Sequence, residues 1–197
     1  MNYRSLVIAL ICSLAFLSPA FAQDPSIYSR SGFYGGIGGL YAIEDFDNTG
    51  TLKFENAPGF NFRLGYRFHP NIAVEAMGER VDAFDLDLPG SGFSGSGEAE
   101  INTWTGTLNG KFFALTGPFQ PYGLLGIGAM QAEGKASGPG GSAEVDETDL
   151  AFRYGAGMDS YLTENWVFNL EMSYVRPTGD VDDLNYYSLG GGIQYRF

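Results

Sequence analysis

Residues 185–197 read Asn185-Tyr-Tyr-Ser-Leu-Gly-Gly-Gly-Ile-Gln-Tyr-Arg-Phe197. Counted back from Phe197, one alternate set is Tyr195, Ile193, Gly191, Leu189 and Tyr187. The other is Arg196, Gln194, Gly192, Gly190, Ser188 and Tyr186. A period of two is the signature of a strand. One face is apolar with aromatics near both ends, and the other is small, polar or charged. In a soluble sheet the apolar face would meet a core. In a barrel that crosses a bilayer it would meet lipid, and the polar face would line the lumen.

The same alternation recurs along the chain. Residues 32–43, 54–69, 71–86, 99–115, 120–133, 149–162, 166–176 and 185–197 are the candidate strands, eight in all. In the second, Phe60, Phe62, Leu64, Tyr66 and Phe68 alternate with Asn61, Arg63, Gly65 and Arg67. In the fourth, Trp104, Leu108 and Phe112 face away from Thr103, Thr105, Thr107, Asn109 and Lys111. The seventh sets Trp166, Phe168, Leu170, Met172 and Tyr174 against Asn169, Glu171 and Ser173. Strands one and five are too rich in glycine to fix a phase. The bulky set is apolar and the opposite set is small or charged, the reverse of a soluble sandwich or a lipocalin-like barrel, whose interiors are apolar.

The connections alternate as well. His69-Pro70-Asn71, Thr116-Gly117-Pro118-Phe119 and Thr163-Glu164-Asn165 are tight-turn signals. Segments 44–53, 87–98, 134–148 and 177–184 are longer, acidic and glycine-rich. Short turns at one end and long loops at the other predict an all-β, eight-stranded antiparallel transmembrane up-and-down β-barrel. The turns fall on the periplasmic side, with a girdle of Phe68, Phe119, Trp166 and Phe197 at headgroup level. An even strand number brings both termini to that side.

Composition excludes other classes. The chain has 29 glycines, 15% aromatic and only 17% charged residues, with a mean hydropathy of −0.08. After residue 22 no apolar run approaches the roughly 20 residues of a membrane helix. A formal net charge of −12 offers no basic patch for nucleic acid or anionic surfaces. At the start, Arg4, the apolar run 6–17 and Ala20-Phe21-Ala22 form a secretory leader, with cleavage between Ala22 and Gln23. Cys12 lies inside it, preceded by Leu10 and Ile11 rather than the small residues of a lipoprotein signal. The expected organisation is a leader over 1–22, a short periplasmic segment over 23–31 and the barrel over 32–197. Without cysteine after the leader, the barrel itself must supply the stability.

The inward charges are the candidate site. Arg63, Arg67, Lys111, Arg153 and Arg196 are expected to share the lumen with Glu75, Glu79, Asp159 and Glu171. Near balance suits a low-dielectric space in which unpaired charge is expensive. The set reads either as a self-satisfying polar filling or as a gated ion path, and in a barrel of eight strands side chains fill the interior. Most of the 23 carboxylates lie in or beside the long connections. Asp180-Val-Asp182-Asp183 lacks the spacing of a defined calcium loop and reads as a solvated loop. No catalytic, cofactor or metal residue is assigned. The sole histidine, His69, abuts Pro70 in a tight turn, with no serine or acid partner to place beside it.

Gly32-Phe-Tyr-Gly-Gly-Ile-Gly-Gly39, Phe62-Arg-Leu-Gly-Tyr-Arg-Phe-His-Pro-Asn-Ile-Ala-Val-Glu75, Pro121-Tyr-Gly-Leu-Leu-Gly-Ile-Gly128 and the terminal Tyr195-Arg-Phe197 together resemble the outer membrane β-barrel domain family, the small barrels of the outer membrane protein A and X type. The resemblance implies location in the outer membrane of a Gram-negative bacterium, contact with its lipid, and assembly by the outer membrane insertion machinery, with Tyr195 and Phe197 as its signal. It implies no single activity: members serve as structural proteins, adhesins, serum-resistance factors or narrow channels. No peptidoglycan-binding domain is expected after Phe197. The expectation is a monomeric, non-catalytic barrel whose acidic loops meet an extracellular or host ligand; the alternative is a small passive channel.

Overall fold

The structure, a computed structural model, describes residues 27–44, 53–54, 57–87, 98–138, 141–179 and 184–197. The leader and its junction at Ala22 and Gln23 lie outside these residues, as do Asp45, Asp47, Asp180, Asp182 and Asp183. The strands are β1 (Gly32–Glu44), β2 (Lys53–Phe54), β3 (Ala57–His69), β4 (Ile72–Asp87), β5 (Glu98–Phe113), β6 (Phe119–Gly138), β7 (Gly141–Tyr161), β8 (Trp166–Pro177) and β9 (Tyr186–Arg196). β2 is a two-residue strand laid on the end of β4. The other eight close into a ring, because β1 pairs antiparallel with both β3 and β9. Closure leaves no long edge with unpaired backbone groups, the condition for a sheet to sit in lipid.

The expected faces hold on every strand whose phase was readable. Ile37, Leu64 and Leu125 point out and are 72%, 59% and 65% exposed, part of a continuous apolar wall. Such a surface is far larger than water tolerates and marks a lipid-facing band. The girdle residues Phe68, Phe119, Trp166 and Phe197 are exposed at the tight-turn end. Trp166 and Tyr195 meet edge to face at 5.0 Å, and Tyr195 meets Phe197 at 5.3 Å.

Two differences from the sequence reading stand out. Of the segment 134–148, expected as a loop, residues 134–138 and 141–148 continue the β6–β7 ladder, from Gln131↔Thr148 to Gly138↔Gly141. β6 and β7 run 20 and 21 residues, whereas a strand needs about 9–11 to cross a bilayer. Beyond the lipid neither face has to be apolar, so the hairpin carries no alternation to read. The interior also departs from a purely small and charged filling. β1 and β6 turn Tyr34, Leu40, Tyr122, Leu124 and Met130 inward. An apolar layer around Tyr34, Phe113, Tyr122 and Leu124 lies toward the tight turns. A second, around Leu40, Val81, Met130, Val175 and Tyr186, lies toward the long loops. Glycine spacing hid the β1 and β6 positions, Tyr34, Leu40, Tyr122, Leu124 and Met130, from sequence reading.

Candidate functional site: a lumenal ion-pair ladder

All nine expected lumenal charges point inward and none is more than 6% exposed. Strand periodicity explains the placement. Arg63 and Arg67 are four residues apart on β3, as Glu75 and Glu79 are on β4, so each pair shares a face two rungs apart. The β3–β4 register puts Arg63 opposite Met77 and Gly65 opposite Glu75, interleaving cations with anions.

Seven of the nine form one alternating chain. Asp159 Oδ2 lies 3.6 Å from Lys111 Nζ, which is 3.5 Å from Glu75 Oε2. Glu75 Oε1 is 3.8 Å from Arg63 Nη1, which reaches Glu171 Oε2 at 3.1 Å. Glu171 Oε1 is 3.7 Å from Arg153 Nη1, and Arg153 Nη2 donates to Glu79 Oε2 at 2.6 Å. Anions terminate both ends. Burying such charges is costly unless every carboxylate is also hydrogen-bonded, and tyrosines and amides provide those bonds. Tyr34 donates to Glu75 at 3.0 Å, Tyr122 to Glu171 at 2.7 Å and Tyr186 to Glu79 at 2.8 Å. Asn169 donates to Asp159 and to the Tyr122 hydroxyl at 2.8 and 2.7 Å. Lys111 stands over the Tyr122 ring at 3.9 Å, a cation–π contact in place of a short hydrogen bond.

Arg67 and Arg196 fall outside this chain. Both are buried near the tight turns, where their donors meet neutral oxygens. Arg67 donates to Gln120 at 2.6 Å and to the Pro70 carbonyl, and its guanidinium lies 4.1 Å from the Phe113 ring centre. Arg196 donates to the Tyr161 hydroxyl. Sequence reading missed the tyrosines of the network. Tyr34 and Tyr122 sit on the strands of unreadable phase, while Tyr186 was legible as inward but carried no charge to attract notice.

His69 sits in the β3–β4 turn, where Nδ1 accepts a hydrogen bond from the Asn71 amide at 3.2 Å. That bond gives the imidazole a turn-forming role. The ladder carboxylates are likewise occupied as acceptors, so what the arrangement does is hold charge in place across the lumen. Among the described residues no group of three metal-ligating side chains comes together.

The comparisons agree with this geometry. The solved structure of Ail, the attachment invasion locus protein of Yersinia pestis, superposes with a TM-score of 0.60 at 24% identity, covering 84% of this chain and 99% of that one. Ail has also been solved in complex with the heparin analogue sucrose octasulfate, at 21% identity, a TM-score of 0.55 and coverage of 85% and 97%. OprG of Pseudomonas aeruginosa gives 0.58 at 17% identity, covering 87% of this chain and 98% of that one. Identities this low establish the fold alone. A 22 kDa outer membrane protein of Rhizobium leguminosarum bv. viciae is 26% identical over 164 residues, 83% of this chain and 72% of the relative. The outer membrane protein beta-barrel domain family matches residues 8–197. The chain belongs to that family, and its place is the outer membrane of a Gram-negative bacterium.

Proposed function

We propose that this protein is a non-conducting outer membrane barrel that acts through the carboxylate-rich connections at its long-loop end. The observation that carries the reading is the filled lumen: an ion-pair ladder of buried side chains lies between two apolar layers. In eight-stranded barrels the interior is just wide enough for side chains to fill it. Function then moves to the rim. Charge there selects the partner class. Ail takes a polysulfated ligand, whereas 44–53 and 177–184 of this chain are rich in Asp and Glu. Like charge disfavours a polyanion here and favours a basic protein surface. The barrel works as a monomer, without a metal or cofactor. Insertion uses the terminal β9 face, with Tyr195 and Phe197 presented to the assembly machinery.

Single-channel recording of the refolded chain tests the filled lumen; a silent bilayer from folded protein is expected. Discrete openings altered by Lys111→Met or Glu171→Gln would establish the channel reading instead. That alternative rests on a polar strip of β5: the hydroxyls of Thr103 and Thr107 and the amide of Asn109 have no hydrogen-bond partner among the described residues. Replacing Asp45, Asp47, Asp180, Asp182 and Asp183 by Asn tests the rim. Binding of a polylysine probe to cells should fall while the amount of folded barrel stays constant.

A further inference from the structure

We propose that residues 28–30 form a strap that closes the tight-turn mouth of the lumen and fastens the β1–β9 seam, with Arg67 and Arg196 as its latch. Among the described residues these are the two lumenal cations that take no carboxylate. A buried guanidinium carries five donors and needs acceptors for them. The strap's backbone supplies two, one to each arginine. Arg67 Nη1 donates to the Tyr28 carbonyl at 3.4 Å, and Gln120 Nε2 donates to the same oxygen at 3.2 Å. Arg196 Nη2 donates to the Arg30 carbonyl at 2.5 Å. The Tyr28 ring meets Tyr161 edge to face at 5.1 Å, and the Tyr161 hydroxyl accepts from both arginines. Ser29, between the two carbonyls, is 6% exposed, and Arg67 beneath the strap is fully buried.

The position matters because of what the seam lacks. On the lumenal side the middle of this seam pairs Gly36 with Gln194, Gly38 with Gly192 and Leu40 with Gly190. A Cβ on Gly192 would lie 2.4 Å from the Ile37 carbonyl, so the two backbones approach too closely to admit side chains. Lumenal side-chain contacts therefore cannot reinforce the join of first and last strands at the Gly38–Gly192 rung. The Arg196–Arg30 bond does so from just beyond it, beside the Phe197 N to Phe33 O bond at 3.0 Å. A strap held by hydrogen bonds to neutral groups opens more readily than the ladder behind it. The mouth can therefore be uncovered while the lumen stays filled.

Thiol reactivity tests this, since the only native cysteine is Cys12. The full chain, carrying Cys12→Ser, is expressed, purified from outer membranes and placed in nanodiscs with either Ser29→Cys or Ser31→Cys. Maleimide should modify position 29 about tenfold or more slowly than exposed position 31, the protection expected of a closed local structure. Adding Arg67→Gln and Arg196→Gln should bring the two rates together, while heat-modifiable gel mobility reports a folded barrel. Equal rates with the latch intact, or continued protection of position 29 without it, would overturn the proposal. If the double variant fails to assemble, Gln120→Leu serves: it removes one bond to Tyr28, and an unchanged rate at position 29 would equally count against the strap.

Discussion

Arg63 and Arg67 occupy the same strand and the same face, four residues apart, yet they meet opposite chemistry. Arg63 sits between Glu75 and Glu171 in the middle of the lumen. Arg67, at the mouth, is surrounded by Gln120, Tyr161 and backbone carbonyls. Both are buried, so burial alone does not dictate an ion pair. The difference lies in what the neighbouring strands bring to each level. β4 and β8 deliver carboxylates at mid-barrel, while the turns and the strap deliver carbonyl oxygens at the end. Charge neutralisation dominates where no water or backbone ends are near, and neutral acceptors suffice where the backbone turns.

This contrast puts the largest loss at Glu171, among the described residues the one carboxylate shared by two arginines. Glu171→Leu leaves Arg63 and Arg153 undercompensated and should cost about 3–5 kcal/mol, read as a lower urea midpoint for the folded barrel in detergent. At the mouth, Arg67→Met removes charge-assisted hydrogen bonds but leaves no buried carboxylate behind. About 1.5–3 kcal/mol is expected in the same assay, and a loss equal to that of Glu171→Leu would erase the distinction between the two regions. Gly65 probes the ladder indirectly. It lies opposite Tyr34 on β1, and an added Cβ would fall 2.2 Å from that ring. Gly65→Ala should displace the Tyr34 hydroxyl from Glu75 at about 1–3 kcal/mol, the range for overpacking a filled interior. Tyrosine fluorescence provides an independent readout. The smallest effect belongs to Arg80 and Asp82, an ion pair at 2.7 Å whose side chains are 37% and 52% exposed. Arg80→Gln should cost less than about 1 kcal/mol, so a larger change would show that exposure is not what separates this pair from the ladder.

What the sequence by itself determined is the set of properties carried by alternation. Phe60 to Phe68 against Asn61 to Arg67 requires a two-faced strand, and eight such segments with alternating short and long connections require a closed barrel. The inward direction of all nine charges follows from the same parity. Tertiary structure alone decided how those charges pair, because pairing depends on register and on neighbours far apart in sequence. Arg63 reaches Glu171 across 108 positions, and Arg196 reaches the Arg30 carbonyl across 166. Parity also failed where glycine interrupts it. β1 and β6 needed their partners' registers before Tyr34 and Tyr122 could be placed among the carboxylates. The ladder over 134–138 and 141–148 was illegible for a complementary reason: backbone hydrogen bonds build it, and beyond the bilayer no apolar face is required to leave a pattern in the side chains.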